Sequence, residues 1–184
     1  TGVQTCALPI SITTSAVNAA IVAAISPSTR LPATSTGAAN SKTATCSSAS
    51  LGVGSHNIVA SYGGDGGNNA STSSTLAQVV NPAISGTTVT SSANPSVVGT
   101  SVTFTATVTG TAPTGSVAFT DGGSAISGCS AVALPAGSAN SKTATCTSAS
   151  LSVGSHNIVA SYGGDGGNNA STSSTLTQTV NKAT

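Results

Sequence analysis

Residues 101–109 read SVTFTATVT, and the fold follows from their alternation. Val102, Phe104, Ala106 and Val108 are apolar, and Thr103, Thr105 and Thr107 between them carry hydroxyls. A period of two puts one set on each face of an extended strand, apolar inward and hydroxyl outward. The β-branched residues that fill the stretch suit a pleated, half-buried surface better than a helix. A strand with one dry face needs a second layer to cover it. Upstream, 87–92 is a first strand, followed by the Asn94-Pro95 turn and Gly99. Downstream, Pro113-Thr114-Gly115 turns into 116–120, where Val117 and Phe119 face inward, and Asp121-Gly122-Gly123 is a hairpin turn that needs positive φ. Residues 126–134 and 141–151 are expected to pair with each other through a loop of small residues. In 154–162, His156, Ile158, Ala160 and Tyr162 share one face; a Gly-Gly-Asp-Gly-Gly-Asn-Asn turn follows, then a Ser/Thr-rich strand ending at 176–180. Some seven short strands with turn signals every ~8–12 residues predict an all-β chain, an antiparallel β-sandwich. Its expected core is Val102, Phe104, Val108, Val117, Phe119, Ile158, Tyr162 and Leu176.

Residues 140–180 repeat residues 40–80 at a displacement of 100, differing only at Ser47/Thr147, Gly52/Ser152, Ala77/Thr177 and Val79/Thr179. A repeat longer than a solenoid unit of ~20–50 residues marks a whole domain. The first copy lacks a counterpart of 87–109. The chain therefore divides into an N-terminally truncated copy at 12–81, a linker at 82–85, one complete domain at 86–181, and the start of a further linker at 182–184. Pro82 ends the last strand of the first copy and stiffens the junction. Within 12–39 the pattern is ambiguous: Ala19, Ala20, Ala23 and Ala24 favour a helix, whereas Val17, Ile21, Val22 and Ile25 suit a buried strand. Residues 1–10, TGVQTCALPI, resemble the in-frame translation of a short-read sequencing adapter. Residues 1–11 are accordingly set apart as non-native, and Cys6 with them.

Only 4% of the chain is charged and 2% is aromatic, with no Glu, Trp or Met, and the formal net charge is +1. Arg30, Lys42, Lys142 and Lys182 are scattered singly, which leaves no electrostatic footprint for nucleic acid. The apolar run 16–25 is too short, and too interrupted by Asn18, for membrane insertion. A Ser/Thr/Gly-rich composition invites disorder, but the strict alternation of 101–109 argues for a fold.

The motifs Asn94-Pro95 with Gly99, VTFTATV at 102–108, Pro113-Thr114-Gly115-Ser116-Val117, and Gly154-Ser155-His156 followed by Tyr162 and Gly164-Asp165 resemble the bacterial Ig-like repeat domain. That family occurs in tandem in large secreted and cell-surface proteins. The resemblance covers 86–181 and the second half of the first copy, and implies an Ig-like sandwich in an extracellular stalk or adhesion context. Its partners would be neighbouring Ig-like repeats of the same chain, with a cell-surface glycan or protein ligand as a further candidate. Relatives usually carry an aromatic two or three residues after the Gly-Asp; here Gly166-Gly167-Asn168-Asn169 follows, which implies a loop less anchored than theirs.

Cys129 and Cys146 fall on neighbouring predicted strands, 17 positions apart. They are a disulfide or two buried thiols, and the extracellular resemblance favours the disulfide. The first copy has Ser26 where the second has Cys129, so Cys46 lacks the counterpart of that bridge. No CxxC and no Cys/His cluster has zinc spacing, and no metal or cofactor is expected. The GGDGG strings lack the Lys and following helix of a phosphate loop. His156 and His56 could act as bases beside Ser and Asp, but a lone His opening a strand is more often structural. Asp165 and Asp65 could bind calcium, but one carboxylate is too few, and an Asx turn is the better reading. Asn69-Ala70-Ser71 and Asn169-Ala170-Ser171 match the glycosylation sequon, which short polar strings do by chance. The expected function is a non-catalytic stalk module, with an accessory carbohydrate-binding module as the alternative.

Overall fold

The alternating stretch becomes the strand Val102–Thr109, with Val102, Phe104, Ala106 and Val108 all buried. The computed structural model describes residues 10–12, 21–25, 29–32, 34–36, 42–46, 48 and 51–184. The chain forms two compact units, Thr1–Asn81 and Pro82–Thr184, and every described regular element is a strand.

In the second unit two sheets enclose one core. The first has three antiparallel strands in the order Ser141–Ser148, Val102–Thr109, Gly86–Ser91. The second runs Ser96–Val97, Leu176–Asn181, Gly154–Tyr162, Ser116–Asp121, Ser124–Ala125, with Ser171–Thr172 added to Gly154–Tyr162 and Val132–Ala133 to Ser116–Asp121. Its pairings are antiparallel except one: Ser96–Val97 lies parallel to Val180–Asn181. Phe104, Val108, Ala144 and Cys146 of the first sheet meet Val117, Phe119, Ile158 and Tyr162 of the second, while Ile126, Cys129 and Leu134 fill one side. Leu176 opens its strand at the rim and is only half-buried; Val180 on the same strand reaches the interior. The hairpin expected at Asp121 forms: Asp121 faces Ser124 across Gly122 and Gly123, with φ of 56° and 89°, backbone that glycine adopts without cost.

The expected pairing of 126–134 with 141–151 does not form. Ser127 and Gly128 make a turn in which Cys129 N–H donates to Ile126 O, so this stretch cannot run as one strand. Only Val132–Ala133 is extended, and it pairs with Ser116 and Val117. Ser141–Ser148 instead pairs along its whole length with Val102–Thr109, which lets its alternate residues Ala144, Cys146 and Ser148 enter the interior.

The second unit also includes the stretch read as a linker. Ala83 bridges Asn168 in parallel, its N–H donating to Gly167 O and its carbonyl accepting from Asn169 N–H, at 2.8 and 2.9 Å. Ser85 Oγ lies 2.6 Å from Asn169 O.

The first unit has Ile10–Ile12, Lys42–Thr45 and Thr34–Thr36 in one sheet, and Thr29–Pro32, Ile21–Ile25 and Gly54–Tyr62 in another. The ambiguity within 12–39 resolves in part as a strand, Ile21–Ile25, in register with Gly54–Tyr62 as Ser116–Asp121 is with Gly154–Tyr162. Ser26 and Cys6 lie outside the described residues. Near-identical sequence is less buried in this copy: Gln78 and Val80 are half-buried, whereas Gln178 is completely covered and Val180 is buried.

Replacing Phe104 with Ala should cost about 3–5 kcal/mol in the second unit, because the ring is fully buried between the two sheets. Urea unfolding followed by circular dichroism of the full chain measures it, and a loss below about 1 kcal/mol would contradict the assigned core.

Candidate functional site

The densest polar constellation forms where the strand Gly154–Tyr162 ends. Tyr162 is buried as the last inward residue of its strand, and its hydroxyl donates to Asp165 Oδ2 at 2.9 Å. Thr114 adds its N–H and Oγ1, at 2.7 and 2.9 Å, to the same oxygen. Asp165 Oδ1 accepts from Gly167 N–H, Asn168 N–H and Asn168 Nδ2 at 2.7, 2.7 and 2.9 Å. The Gly167 contact, two residues on, is an Asx turn, the role expected from sequence. Asn168 is itself buried, accepting from Thr111 N–H at 2.7 Å and donating to Thr111 O at 3.0 Å. This crowding explains two glycines. A Cβ on Gly164, whose φ is 80°, would meet Ala170 N at 2.8 Å, and one on Gly110 would meet Asn168 Oδ1 at 2.5 Å.

Polar contacts hold this loop at both ends and tie Ala83 and Ser85 to it. Burial pushes the Asp165 pKa up, but donors from Asn168, Thr114 and Gly167 outweigh it and hold the carboxyl well below the usual carboxylate range. Burial, then Asp165, pushes the Tyr162 phenol up to about 12. With protein donors on both oxygens, this carboxylate is a structural anchor, not a free metal ligand or base. In the first unit Asp65 is held the same way, accepting from Tyr62 hydroxyl, Gly67 N–H and Asn68 Nδ2 at 2.6, 2.8 and 2.9 Å. Tyr62 leads the hydrogen bonds that lower its pKa.

His156 lies between Ser152 and Asp121. Its Nε2 is 2.9 Å from Ser152 O and its Nδ1 is 2.6 Å from Asp121 Oδ2. A carbonyl can only accept, so Nε2 carries a proton. The Ser152 carbonyl and then Asp121 raise the His156 pKa. The imidazolium form can donate to both partners at once, so the two contacts favour the protonated ring and hold it in place. The first unit has Ile25 at the register position of Asp121.

Cys129 and Cys146 are joined by a disulfide, their Cα atoms 5.7 Å apart. It connects the inward face of Ser141–Ser148 to the turn at 126–129, whose Cys129 O accepts from Phe119 N–H. The bond thus ties the first sheet to the second along one open edge. Lys142, inward-facing and buried on the same strand, donates from Nζ to Gly137 O at 2.7 Å. Among the described residues no three His, Cys, Asp or Glu side chains come together as a metal site, and no helix is long and apolar enough to cross a membrane.

The opposite edge is closed by residues that sequence reading passed over. Gln178 is completely covered: its Oε1 accepts from Ser91 Oγ at 2.6 Å, and its Nε2 donates to Ala93 O at 2.9 Å and Ser96 Oγ at 3.2 Å. Period-two placement between Leu176 and Val180 was the available signal, since it puts Gln178 on the inward face. Asn94, read only as part of a turn, lines its amide against the last strand: Nδ2 donates to Thr177 O and Oδ1 accepts from Thr179 N–H, at 2.7 and 2.9 Å.

A family model described as bacterial Ig-like domain (group 3) matches residues 89–181, about half of the chain and almost all of the second unit. No curated protein and no solved structure matches the chain.

Three groups set the pH dependence of the second unit. A carboxyl with a lowered pKa, Asp165, contributes stability above the unfolded value of about 3.9 that is lost as pH falls. A raised imidazole, His156, contributes fully below about 6.5 and is lost as pH rises through its folded value; raised Tyr162 repeats this above about 10. The denaturation midpoint should therefore be highest near pH 5–6. Asp165→Ala should cost about 2–4 kcal/mol at pH 7 and remove most of the acid limb. Urea titrations at a series of pH values check both, and an unchanged acid limb in the variant would contradict the anchor role.

Proposed function

The chain belongs to the bacterial Ig-like domain family, group 3, and from that premise we propose that it is a non-catalytic structural and adhesive stalk module of a secreted or cell-surface protein. The family is in general non-catalytic and often extracellular. One observation carries the reading furthest: the second unit takes up the chain at one pole and releases it at the other. Ala83 is bound at the Tyr162 end of the strand Gly154–Tyr162, beside Asn168, while Val180 and Asn181 pair at its Gly154 end and with Ser96–Val97. Nine residues of strand separate the two poles by about 30 Å. A module threaded end to end in this way adds length when repeated, and the near-identical 40–80 and 140–180 are a repeat of this kind. A disulfide of 17-residue separation fits an exported, oxidising setting and adds about 3 kcal/mol in the chain-entropy model.

The carbohydrate-binding alternative finds less support. Phe104, Phe119, Tyr62 and Tyr162 are the chain's four aromatic residues, and all are at most 2% exposed. None is free to stack on a sugar ring from the surface.

Glycan-array screening of the folded chain is expected to show no retained glycan; saturable binding with an equilibrium constant below about 100 μM would favour the carbohydrate-binding reading. Mass spectrometry of unreduced protein should return the peptides of Cys129 and Cys146 linked, and alkylation of both Cys129 and Cys146 in protein folded under oxidising conditions would count against the exported setting.

A further inference from the structure

We infer that the free edge of Ser141–Ser148 pairs, strand to strand, with the same edge of a second copy of this chain, joining two three-stranded sheets into one. The inference goes beyond the stalk reading and does not depend on it. Gly110 N–H donates to Asn140 O at 2.9 Å, extending the ladder in which Val102–Thr109 pairs with Ser141–Ser148. In that ladder the even-numbered residues of Ser141–Ser148 direct their backbone groups at Val102–Thr109. Ser141, Thr143, Thr145 and Thr147 therefore direct theirs away from it. No backbone group among the described residues meets them there. All four side chains are exposed.

The first unit shows what this edge accepts. Lys42–Thr45, identical in sequence to 142–145, is the middle strand of its sheet, with Ile10–Ile12 on one side and Thr34–Thr36 on the other. Thr34–Thr36 comes from a longer connection: residues 34–39 separate Leu31-Pro32-Ala33 from Asn40, whereas only 137–139 separate Leu134-Pro135-Ala136 from Asn140. The shorter connection leaves nothing to fold back along Ser141–Ser148, and its Gly137 carbonyl instead accepts from Lys142 Nζ. The open edge, at eight residues, is the longest outer strand of the second unit. Its outward row is Ser and Thr alone, without the proline, bulge or outward charge that keeps exposed edges apart. The edge is also complementary to itself. Antiparallel pairing of odd-numbered with odd-numbered residues about its centre sets Thr145 opposite Thr145 or Thr143 of the second copy, in facing hydroxyl pairs like that of Thr103 and Thr147. In both registers the two Lys142 side chains start at least about 13 Å apart along the seam, so no like charges meet. A two-fold contact of this kind closes at the dimer, and one strand's width makes it weak.

Sedimentation equilibrium of the full chain tests the pairing. The parent is expected to dimerise reversibly with a dissociation constant below about 1 mM. Thr145→Pro should weaken the dimer by about tenfold or more: the Thr145 N–H takes no part in the unit's own ladder, so proline fits there while the seam loses a donor. Thr145→Lys brings two like charges within about 8 Å across the seam and should weaken the dimer by about threefold or more, whether or not the proline variant folds. Thr90→Lys puts the same charge on the exposed row of Gly86–Ser91, the opposite outer strand of the sheet, and should leave the constant within about twofold. A parent that stays monomeric at about 1 mM, assembly that continues past the dimer, or a dimer no weaker in Thr145→Lys than in Thr90→Lys would overturn the inference. None of these results bears on glycan binding, by which the stalk reading itself is judged.

Discussion

The inward row Val102, Phe104, Ala106 and Val108 is the constraint on which the second unit depends. It belongs to the central strand of the three-stranded sheet, so it covers Val117, Phe119, Ile158 and Tyr162 of the other sheet and is covered by them. With three aromatic rings in this unit and no Trp or Met in the chain, the core is thin, and most of its other inward positions are Val, Ala or Ile. A thin sandwich is vulnerable where its sheets meet at the edges, because a small slip there admits water to the whole interior. Each edge has its own closure. Along one, the Cys129–Cys146 disulfide fastens Ser141–Ser148 to the turn that follows the hairpin. Along the other, the chain crosses from the first sheet to the second between Ser91 and Ser96, and buried Gln178 bonds both banks of that crossing.

Polar contacts take the place that larger apolar side chains could hold at the Tyr162 pole. Asp165 and Asn168 gather Tyr162, Thr111 and Thr114 and the segment 83–85 into one constellation. Buried polar networks stabilise only when every member is satisfied, and among the described residues no buried side-chain polar atom lacks a partner. Outward faces follow the same economy of charge. Thr103 and Thr147, opposite each other on adjacent strands, share a hydroxyl hydrogen bond at 3.1 Å, a cross-strand pair that keeps the surface polar without ions.

Alternation made the strands legible because a period of two reports directly which side chains are dry. That signal identified seven of the eight expected core residues, and it failed at Leu176, where strand position at the rim outweighs pattern. It failed also over 126–134, where apolar Ile126, Cys129 and Leu134 are indeed buried, but as a turn, since burial alone does not distinguish a strand from a folded-back loop. Asn168, Gln178 and Asn94 were not legible as anchors. The partners that make them anchors between distant segments lie 57 to 87 positions away in sequence, and composition gives no hint of so distant a hydrogen bond. The two copies sharpen the point: Gln78 and Gln178 stand in near-identical sequence, yet Gln178 is covered by 91–96, for which the first unit has no counterpart strand among the described residues.

If the inward row and the two edge closures make the second unit a single cooperative body, its amides should exchange with solvent only through one shared opening. Hydrogen exchange of the full chain at pH 6, followed residue by residue, is the most direct measurement. The account predicts that Phe104, Phe119, Ile158, Ala160 and Gln178 exchange with the same opening free energy, within about 1 kcal/mol of global unfolding. Exchange at 116–121 or 176–181 faster by orders of magnitude than at 102–109 would mean that the sheets part independently, and would contradict it.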